Sequence, residues 1–281
     1  MVRRVGAPRA LMTVAVLALG ALAVGCGDSG GEDAGGDAAA TSTTTEQRPL
    51  RIVVTNDDGI GSPGLDQLVQ GLSALPDVEI SVVAPLENQS GSSDRTTEGE
   101  VTSSTASTAS GLAGTAVDGF PADSVIFAIE EVGLDPDVVV SGVNEGQNVG
   151  PLAAISGTVG AARTAARLGV PAVAASAGLV YDAAQVQVAV DLVVEWIVSN
   201  RLRLQARNLP PQVISFNVPS CDPATMGELV EVPRGLAIPE GVNVFESSCV
   251  GLEAPSDDVF AMIEGFPAET RIPIDLALPG S

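Results

Sequence analysis

Short apolar runs alternate with segments of helical periodicity along most of this chain, and this alternation constrains its fold more than any other feature. The apolar runs are rich in Val, Ile and Ala and predict buried strands. Between them, apolar residues recur at intervals of three and four, which predicts amphipathic helices. The alternation predicts an α/β fold with a mostly parallel sheet and right-handed crossovers. The predicted strands span 52–55, 78–84, 137–140, 170–175 and 213–217, and the predicted helices span 64–75, 123–132, 156–168 and 182–199.

Two regions are less regular. Residues 101–116 are rich in Ser, Thr, Ala and Gly, and they predict one or two polar strands or a long loop. After Pro219, Pro and Gly are frequent and the apolar runs are short. We therefore expect the domain, 48–281, to consist of a core (50–220) and an irregular C-terminal β extension (221–281). Its short strands, including the stretch 258–263, would extend the sheet or reach a neighbouring subunit.

Residues 1–25 resemble a bacterial lipoprotein signal peptide. Three Arg residues precede an apolar run over 11–24, which is shorter than the roughly 20 residues that span a bilayer. Small residues lead into Cys26, which would carry the lipid; an ordinary cleaved signal peptide with an incidental Cys is the alternative. Residues 26–47 are small and polar and predict a disordered linker. We expect an exported domain, anchored through this lipid alone to the outer face of the bacterial cell membrane.

The composition excludes several kinds of chemistry. The chain has no His, and all 13 of its basic residues are Arg. This excludes a Ser-His-Asp triad, His-ligated zinc, a Schiff-base Lys and a Walker A Lys. The formal net charge of −22 argues against polymeric nucleic acid and anionic membrane surfaces as partners. Oxygen chemistry remains, and it suits hard cations such as Mg²⁺, Mn²⁺ or Ca²⁺.

Three polar loops directly follow predicted strands. They carry Asp57 and Asp58 (in Asn-Asp-Asp-Gly), Ser90, and Asn144. Turn formation alone would explain the Asn, Asp and Gly of the first loop. In an open α/β sheet, however, the carboxyl ends of the strands face one crevice, where ligands bind. We therefore expect these four side chains to share a divalent-metal site.

The run Ser156-Gly157-Thr158 begins a predicted helix, whose free N–H groups could hold a phosphate. A simple N-cap role also explains Ser156, and the two roles can coexist. Arg95, a single Arg on a loop, is interpreted as a surface charge. Cys221 and Cys249 form either a disulfide in the exported domain or two free thiols.

Together these motifs resemble the SurE family of survival-protein nucleotidases over about residues 50–220. The resemblance implies a Rossmann-like three-layer domain, a Mg²⁺ or Mn²⁺ ion, and hydrolysis of nucleoside 5′- and 3′-monophosphates. It also implies a homodimer or homotetramer formed through the C-terminal segment. The matching segments are Ile52 to Gly59 with Pro63-Gly64, Val83-Ala84-Pro85 with Asn88-Gln89-Ser90-Gly91, Gly119 to Val125, Asp137 to Gly150, Ser156 to Ala162, and Phe216-Asn217-Val218-Pro219.

The resemblance also implies roles for individual residues. Asp57 and Asp58 would carry the catalysis, with a metal-activated water as the preferred nucleophile and direct attack by either carboxylate as the alternative. The implied metal ligands are Asp57, Asp58, Ser90 and Asn144, and the implied phosphate and substrate contacts are Asn148, Ser156, Gly157 and Thr158.

Three positions depart from the family's pattern. Leu86 stands where Asp usually follows the Pro of the second motif, Arg95 replaces a small residue, and Ile155 replaces an aromatic. The altered second motif leaves open an alternative, a lipid-anchored protein of the same fold that binds nucleotide or phosphate without turnover. A generic α/β esterase is excluded, because the chain lacks His and has no Gly-x-Ser-x-Gly turn between a predicted strand and helix.

Overall fold

The computed structural model describes residues 48–179, 182–249 and 254–277. The predicted signal peptide (1–25), Cys26 and the rest of the predicted linker (26–47) lie outside these residues. In the described part, a nine-stranded sheet carries helices on both faces. No helix in these ranges is both long enough and apolar enough to cross a bilayer.

The strands and helices alternate through the centre of the chain. The strands are β1 (Leu50–Thr55), β2 (Val78–Pro85), β3 (Thr102–Ser107), β4 (Ala113–Asp118), β5 (Val138–Glu145), β6 (Ala172–Ala177), β7 (Val213–Val218), β8 (Val230–Glu231) and β9 (Ala268–Ile272). The helices are α1 (Pro63–Ser73), α2 (Pro121–Ile126, continued by a π-helix over Phe127–Glu131), a 3₁₀-helix (Gly150–Ala154), α3 (Gly157–Arg167), α4 (Ala183–Gln205) and α5 (Asp258–Glu264).

The strand order places β1 near the centre of the sheet. The order is β3-β4-β2-β1-β5-β6-β7-β9-β8. All neighbouring strands are parallel except the pairs β3–β4 and β7–β9. The chain passes from β1 to β2 on one side and later enters β5 on the other side. In doubly wound sheets the ligand crevice opens at such a reversal, beyond the carboxyl ends of the strands.

The helices form two layers, one on each face of the sheet. Leu68 on α1 and Val190 on α4 belong to one apolar cluster. Val125 on α2 and Ala162 on α3 belong to the cluster on the opposite face. The contact between α1 and α4 is close, because a Cβ at Gly71 would lie 2.3 Å from Val190 Cγ1. The prediction of a three-layer α/β domain with a mostly parallel sheet is therefore confirmed.

One predicted element is wrong. The apolar stretch 258–263 forms α5, whereas we expected a short strand. Asp257 caps this helix, since its carboxylate accepts hydrogen bonds from the backbone N–H groups of Val259 and Phe260. Gly265 ends it in the left-handed conformation, at φ 84°. An apolar run of this length suits a strand or a helix, and these caps decide between them.

Other boundaries differ from those expected. The polar stretch that begins at Ser141 continues β5 as far as Glu145, because β6 offers pairing partners to Asn144 and Glu145 across a register shift. The peptide between Gly142 and Val143 is cis. Residues 101–116 form the β3–β4 hairpin, one of the two outcomes expected for them. Beyond β7, β8 and β9 extend the sheet, as predicted for the C-terminal extension.

A disulfide links Cys221 to Cys249, with the two Cα atoms 5.8 Å apart. Of the two alternatives for these residues, the structure therefore contains the disulfide. Cys221 is buried, and its carbonyl oxygen accepts a hydrogen bond of 3.1 Å from the side-chain amide of Gln185 on α4. The bridge closes a loop with a sequence separation of 28 residues that lies within the C-terminal extension.

We predict that replacing both cysteines, in a Cys221→Ser, Cys249→Ser variant, lowers the free energy of unfolding by about 2–4 kcal/mol. The reason is that the bridge restricts the unfolded chain, by an amount that grows with the length of the closed loop. Urea unfolding of the oxidised parent and the variant measures this difference. Equal unfolding midpoints would contradict it, and the reduced parent should match the variant.

Candidate metal and phosphate site

A cavity of about 190 Å³ opens beyond the carboxyl ends of β1, β2 and β5. Five of the eight predicted site residues line it, namely Asp57, Ser90, Asn144, Asn148 and Ser156. Asp58 lines a neighbouring depression, together with Asn88 and Glu145. Gly157 and Thr158 line neither of the two and contact Asp57 instead.

Asp57 is 2% exposed and lies against the first turn of α3. Its Oδ1 accepts a hydrogen bond of 2.5 Å from the Thr158 hydroxyl. The approach of the helix requires glycine at position 157, because a Cβ there would lie 2.8 Å from Asp57 Cβ and 2.9 Å from Asp57 Oδ2. Burial raises the pKa of Asp57, while the hydrogen bonds from Thr158 and Gly157 oppose that rise. Thr158 and Gly157 thus position the carboxylate.

Asp58 is a second carboxyl group with a perturbed pKa. Burial, the negative charge of Asp57 and the negative charge of Glu145 raise its pKa to about 7. The backbone N–H of Glu145, 3.3 Å from Asp58 Oδ2, opposes the rise. Two adjacent carboxyl groups with raised pKa values favour a bound cation, because a cation would stabilise their ionised forms.

The amino ends of the parallel strands, opposite the site, provide a contrast. There, a larger cavity of about 430 Å³ is lined by Asp135, Asp137 and Arg207. The Arg48 guanidinium donates two hydrogen bonds of 2.6 Å to Asp137, and Arg207 pairs with Asp135 at 2.5 Å. These aspartates are already paired with protein cations, whereas Asp57 and Asp58 form no ion pair within the described residues.

Asn144 and Ser90 could add neutral oxygen ligands to the site. The Asn144 side-chain N–H donates to the carbonyl oxygen of Gly146, which directs the amide nitrogen away from ligand binding. No hydrogen bond occupies its Oδ1 among the described residues. Ser90 is exposed at the cavity rim, and its backbone N–H donates to Asn88 Oδ1 at 3.0 Å.

The donor set consists of oxygen atoms, so it fits Mg²⁺ or Mn²⁺ better than it fits a metal held by His or Cys. Within the described ranges, no group of three or more His, Cys, Asp or Glu residues is placed to hold a metal. Two carboxylates with neutral oxygens leave several positions for water or phosphate, as Mg²⁺ requires. Asp57, Asp58, Ser90 and Asn144 are the residues that could hold such an ion.

The loop that carries Ser90 is fixed to α3. The Ser93 hydroxyl donates a hydrogen bond of 2.7 Å to the carbonyl oxygen of Ala154, at the end of the 3₁₀-helix that precedes α3. Asp94 pairs with Arg163 at 3.3 Å and with Arg167 at 2.9 Å, and both Arg residues lie on α3. Gly160 lets the loop backbone approach, because a Cβ there would lie 1.9 Å from the Ser93 carbonyl oxygen. The loop and the helix therefore form one supporting unit.

Asn148 and Ser156 are positioned by their own hydrogen bonds. The Asn148 backbone N–H donates to Asn217 Oδ1 at 2.7 Å, and its side-chain N–H donates to Ser176 Oγ at 2.9 Å. Ser156 caps α3, because its Oγ accepts a hydrogen bond of 3.1 Å from the backbone N–H of Val159, as expected for an N-cap. Arg95 is exposed and lies over the Phe120 ring at 4.6 Å, so it is a surface charge that does not line the cavity.

Several residues at the site were missed by reasoning from the sequence. Glu145, Leu179 and Phe245 line the cavity or its neighbour, and Asn217 supports Asn148. Asn217 belongs to a segment that resembles the family, but the resemblance gives it no role. Leu179 and Phe245 belong to no motif, and only tertiary packing brings them to the site.

The fold and site define a doubly wound α/β protein with paired acidic residues at its topological switch point. Residues 52–234 match the family model described as "Survival protein SurE". The chain therefore belongs to the SurE family. Relatives agree with this assignment. The chain is 32% identical over 247 residues to a "5'-nucleotidase SurE" of Methylococcus capsulatus, covering 81% of this chain and 92% of that protein.

Other similarities are more limited. A "5'-nucleotidase SurE" of Halobacterium salinarum is 48% identical over 126 residues, covering 44% of this chain and 46% of that relative. The chain thus spans about half the length of this relative. The crystal structure of the SurE protein from Aquifex aeolicus matches with a TM-score of 0.64 at 24% identity, covering 81% of this chain and 94% of that one. This last similarity supports the fold alone.

We predict that Gly157→Ala destabilises the protein by roughly 1–3 kcal/mol, because the new Cβ would overlap Asp57. The matched control is Gly61→Ala, since no heavy atom of the described residues, apart from Gly61 and its two chain neighbours, lies within 4 Å of a Cβ at that position. Chemical unfolding of both variants tests the prediction. A Gly157→Ala protein as stable as the control would show that α3 and Asp57 are not in close contact.

Proposed function

We propose that this protein is a divalent-metal-dependent phosphomonoesterase that hydrolyses nucleoside monophosphates. The observation that carries the proposal is the pair Asp57 and Asp58. Asp57 is buried against the start of α3, Asp58 is half-buried, and neither has a protein cation as partner among the described residues. Family membership and relatives named 5'-nucleotidase support the same reaction class.

Each residue of the site has a proposed part in this reaction. Asp57, Asp58, Ser90 and Asn144 would hold Mg²⁺ or Mn²⁺. When bound, such an ion would supply charge neutralisation for the phosphate and activation of a water molecule. Thr158 and Gly157 keep Asp57 in place, while Ser156 and Asn148 present polar groups to the substrate from the cavity wall. The start of α3 adds the partial positive charge of a helix N-terminus, which favours a phosphate.

A second candidate is a protein that binds nucleotide without hydrolysing it. It is favoured by Leu86, a residue 46% exposed that lines the depression beside Asp58 and offers no carboxylate there. Because both Asp57 and Asp58 are present with oxygen-bearing neighbours, the enzyme remains the better proposal.

We also propose that the protein is exported and lipid-anchored at Cys26, with residues 1–25 as the signal peptide and 26–47 as the linker. The Cys221–Cys249 disulfide supports an oxidising location. Extracellular nucleotides would then be the substrates. Assembly into a homodimer or homotetramer stays a prediction that light scattering of the purified protein would test.

We predict that the purified protein releases phosphate from AMP with Mn²⁺ or Mg²⁺, and that Asp57→Asn lowers the rate by roughly 100-fold or more. Loss of one charged ligand removes several kcal/mol of charge stabilisation at the reaction centre. Asp191→Asn is the control, because Asp191 is an exposed carboxylate on α4. Unchanged activity in excess chelator would reject the metal mechanism, and AMP binding without phosphate release would favour the second candidate.

We predict that Mn²⁺ binds about tenfold more weakly at pH 6 than at pH 8. Asp58 has a pKa of about 7 without metal, so it is mostly protonated at pH 6 and must lose its proton for the ion to bind. Calorimetric titration with Mn²⁺ at the two pH values measures the change. In Asp58→Asn the affinity should be weaker overall and the difference between the two pH values smaller. A parent affinity that is equal at both pH values would contradict the prediction.

A further inference from the structure

Three large apolar side chains remain exposed around the cavity that holds the predicted site residues. Ile155 is 44% exposed, Leu179 is 50% exposed and Phe245 is 40% exposed. All three line the same cavity as Asp57 and Asn144. Scattered apolar residues on a surface need no explanation, but a group of them beside a polar site indicates a ligand with an apolar part.

Phe245 is held at this cavity by the residues before it. The Gln147 side-chain N–H donates a hydrogen bond to the carbonyl oxygen of Val244. Val244 itself is buried in an apolar cluster that includes Val149 and Met262. The backbone N–H of Phe245 donates a hydrogen bond of 3.1 Å to Asn243 Oδ1. The extension is therefore attached to the same stretch of chain that carries Asn144 and Asn148.

The residues after Phe245 are anchored as well. The backbone N–H of Ser248 donates a hydrogen bond of 2.7 Å to the carbonyl oxygen of Ile263, near the end of α5. Cys249 is bonded to Cys221, which follows β7. Phe245 thus lies between two fixed points, and its exposed ring lines the cavity.

The remainder of the apolar group comes from the core of the fold. Ile155 immediately precedes Ser156, the N-cap of α3, and stands where the family resemblance led us to expect an aromatic. Leu179 follows β6 and lies near Gly146, since a Cβ on Gly146 would be 3.3 Å from Leu179 Cδ2. No aromatic residue other than Phe245 lines this cavity among the described residues.

We propose that Phe245, Leu179 and Ile155 form the binding wall for the nucleobase of the substrate, with the Phe245 ring as its stacking surface. This inference rests on the proposed nucleotidase function and names the part of the substrate that the C-terminal extension recognises. The phosphate lies at the polar end of the cavity, near Asp57 and Ser156, and the base lies at the apolar rim.

The chemistry of the wall also sets its selectivity. Aromatic stacking accepts any base, because every base has a π face. The three apolar side chains offer no hydrogen-bonding group to the edge of a base. The cavity of about 190 Å³ is smaller than a typical small-molecule pocket of roughly 300–1,000 Å³, which is consistent with a base that lies partly exposed at the rim. The apolar wall itself therefore does not distinguish purine bases from pyrimidine bases.

The test compares AMP with ribose 5-phosphate, which has the sugar and the phosphate but no base. We expect Phe245→Ala to raise KM for AMP about tenfold and to leave KM for ribose 5-phosphate unchanged. Phe245→Trp should retain the parent's KM for AMP, because it keeps an aromatic face. Phe260→Ala is the matched control, since Phe260 is 38% exposed on α5 and does not line the cavity.

Two results would overturn the inference. The first is an unchanged KM for AMP in Phe245→Ala, and the second is an equal rise in KM for both substrates. Thermal unfolding checks that the variant is folded, and Phe245→Ser provides a second truncation if Phe245→Ala unfolds. If the parent releases phosphate from neither compound, the proposed reaction fails. Calorimetry with AMP and Mn²⁺ then decides the inference by whether Phe245→Ala weakens AMP binding about tenfold.

Discussion

The contact between Asp57 and the first turn of α3 is the constraint on which the site depends. A carboxylate at this depth is costly unless hydrogen bonds or a cation compensate its burial. Thr158 supplies a hydrogen bond, and the absence of a side chain at Gly157 permits the approach. The same helix holds the Ser90 loop through Gly160 and through the ion pairs of Asp94. One helix therefore sets the positions of two of the three loops that meet at the crevice.

Much of this arrangement could be predicted from the sequence, because it depends on local pattern and on topology. The alternation of apolar runs and helical periods predicts the central strands β1, β2, β5, β6 and β7 with their helices. The rule that ligands bind beyond the carboxyl ends of parallel strands then brings the loops of Asp57, Ser90 and Asn144 together. The structure places all three residues on one cavity wall.

The remainder depends on interactions that a linear pattern does not encode. The stretch 258–263 is apolar and short, so its conformation is decided by Asp257 and Gly265 at its ends. Ser141 to Asn144 resembles a loop in composition but is extended because β6 pairs with it. Phe245 is held at the site by the packing of Val244, by the hydrogen bond from Gln147 and by the disulfide, and spacing in the sequence carries no signal for such a contact.

The strand order also separates the paired carboxylates from the proposed base-binding residue Phe245, both in space and along the chain. The paired carboxylates follow the central strand β1, whereas Phe245 belongs to the connection between β8 and α5 at the far edge of the sheet. Within that connection, Val244 and Cys249 are tied to the fold by apolar packing and by the disulfide, whereas the ring of Phe245 is 40% exposed. Recognition of new ligands could therefore evolve by exchange of this one exposed side chain, while selection on stability preserves the anchors beside it and the reactive centre.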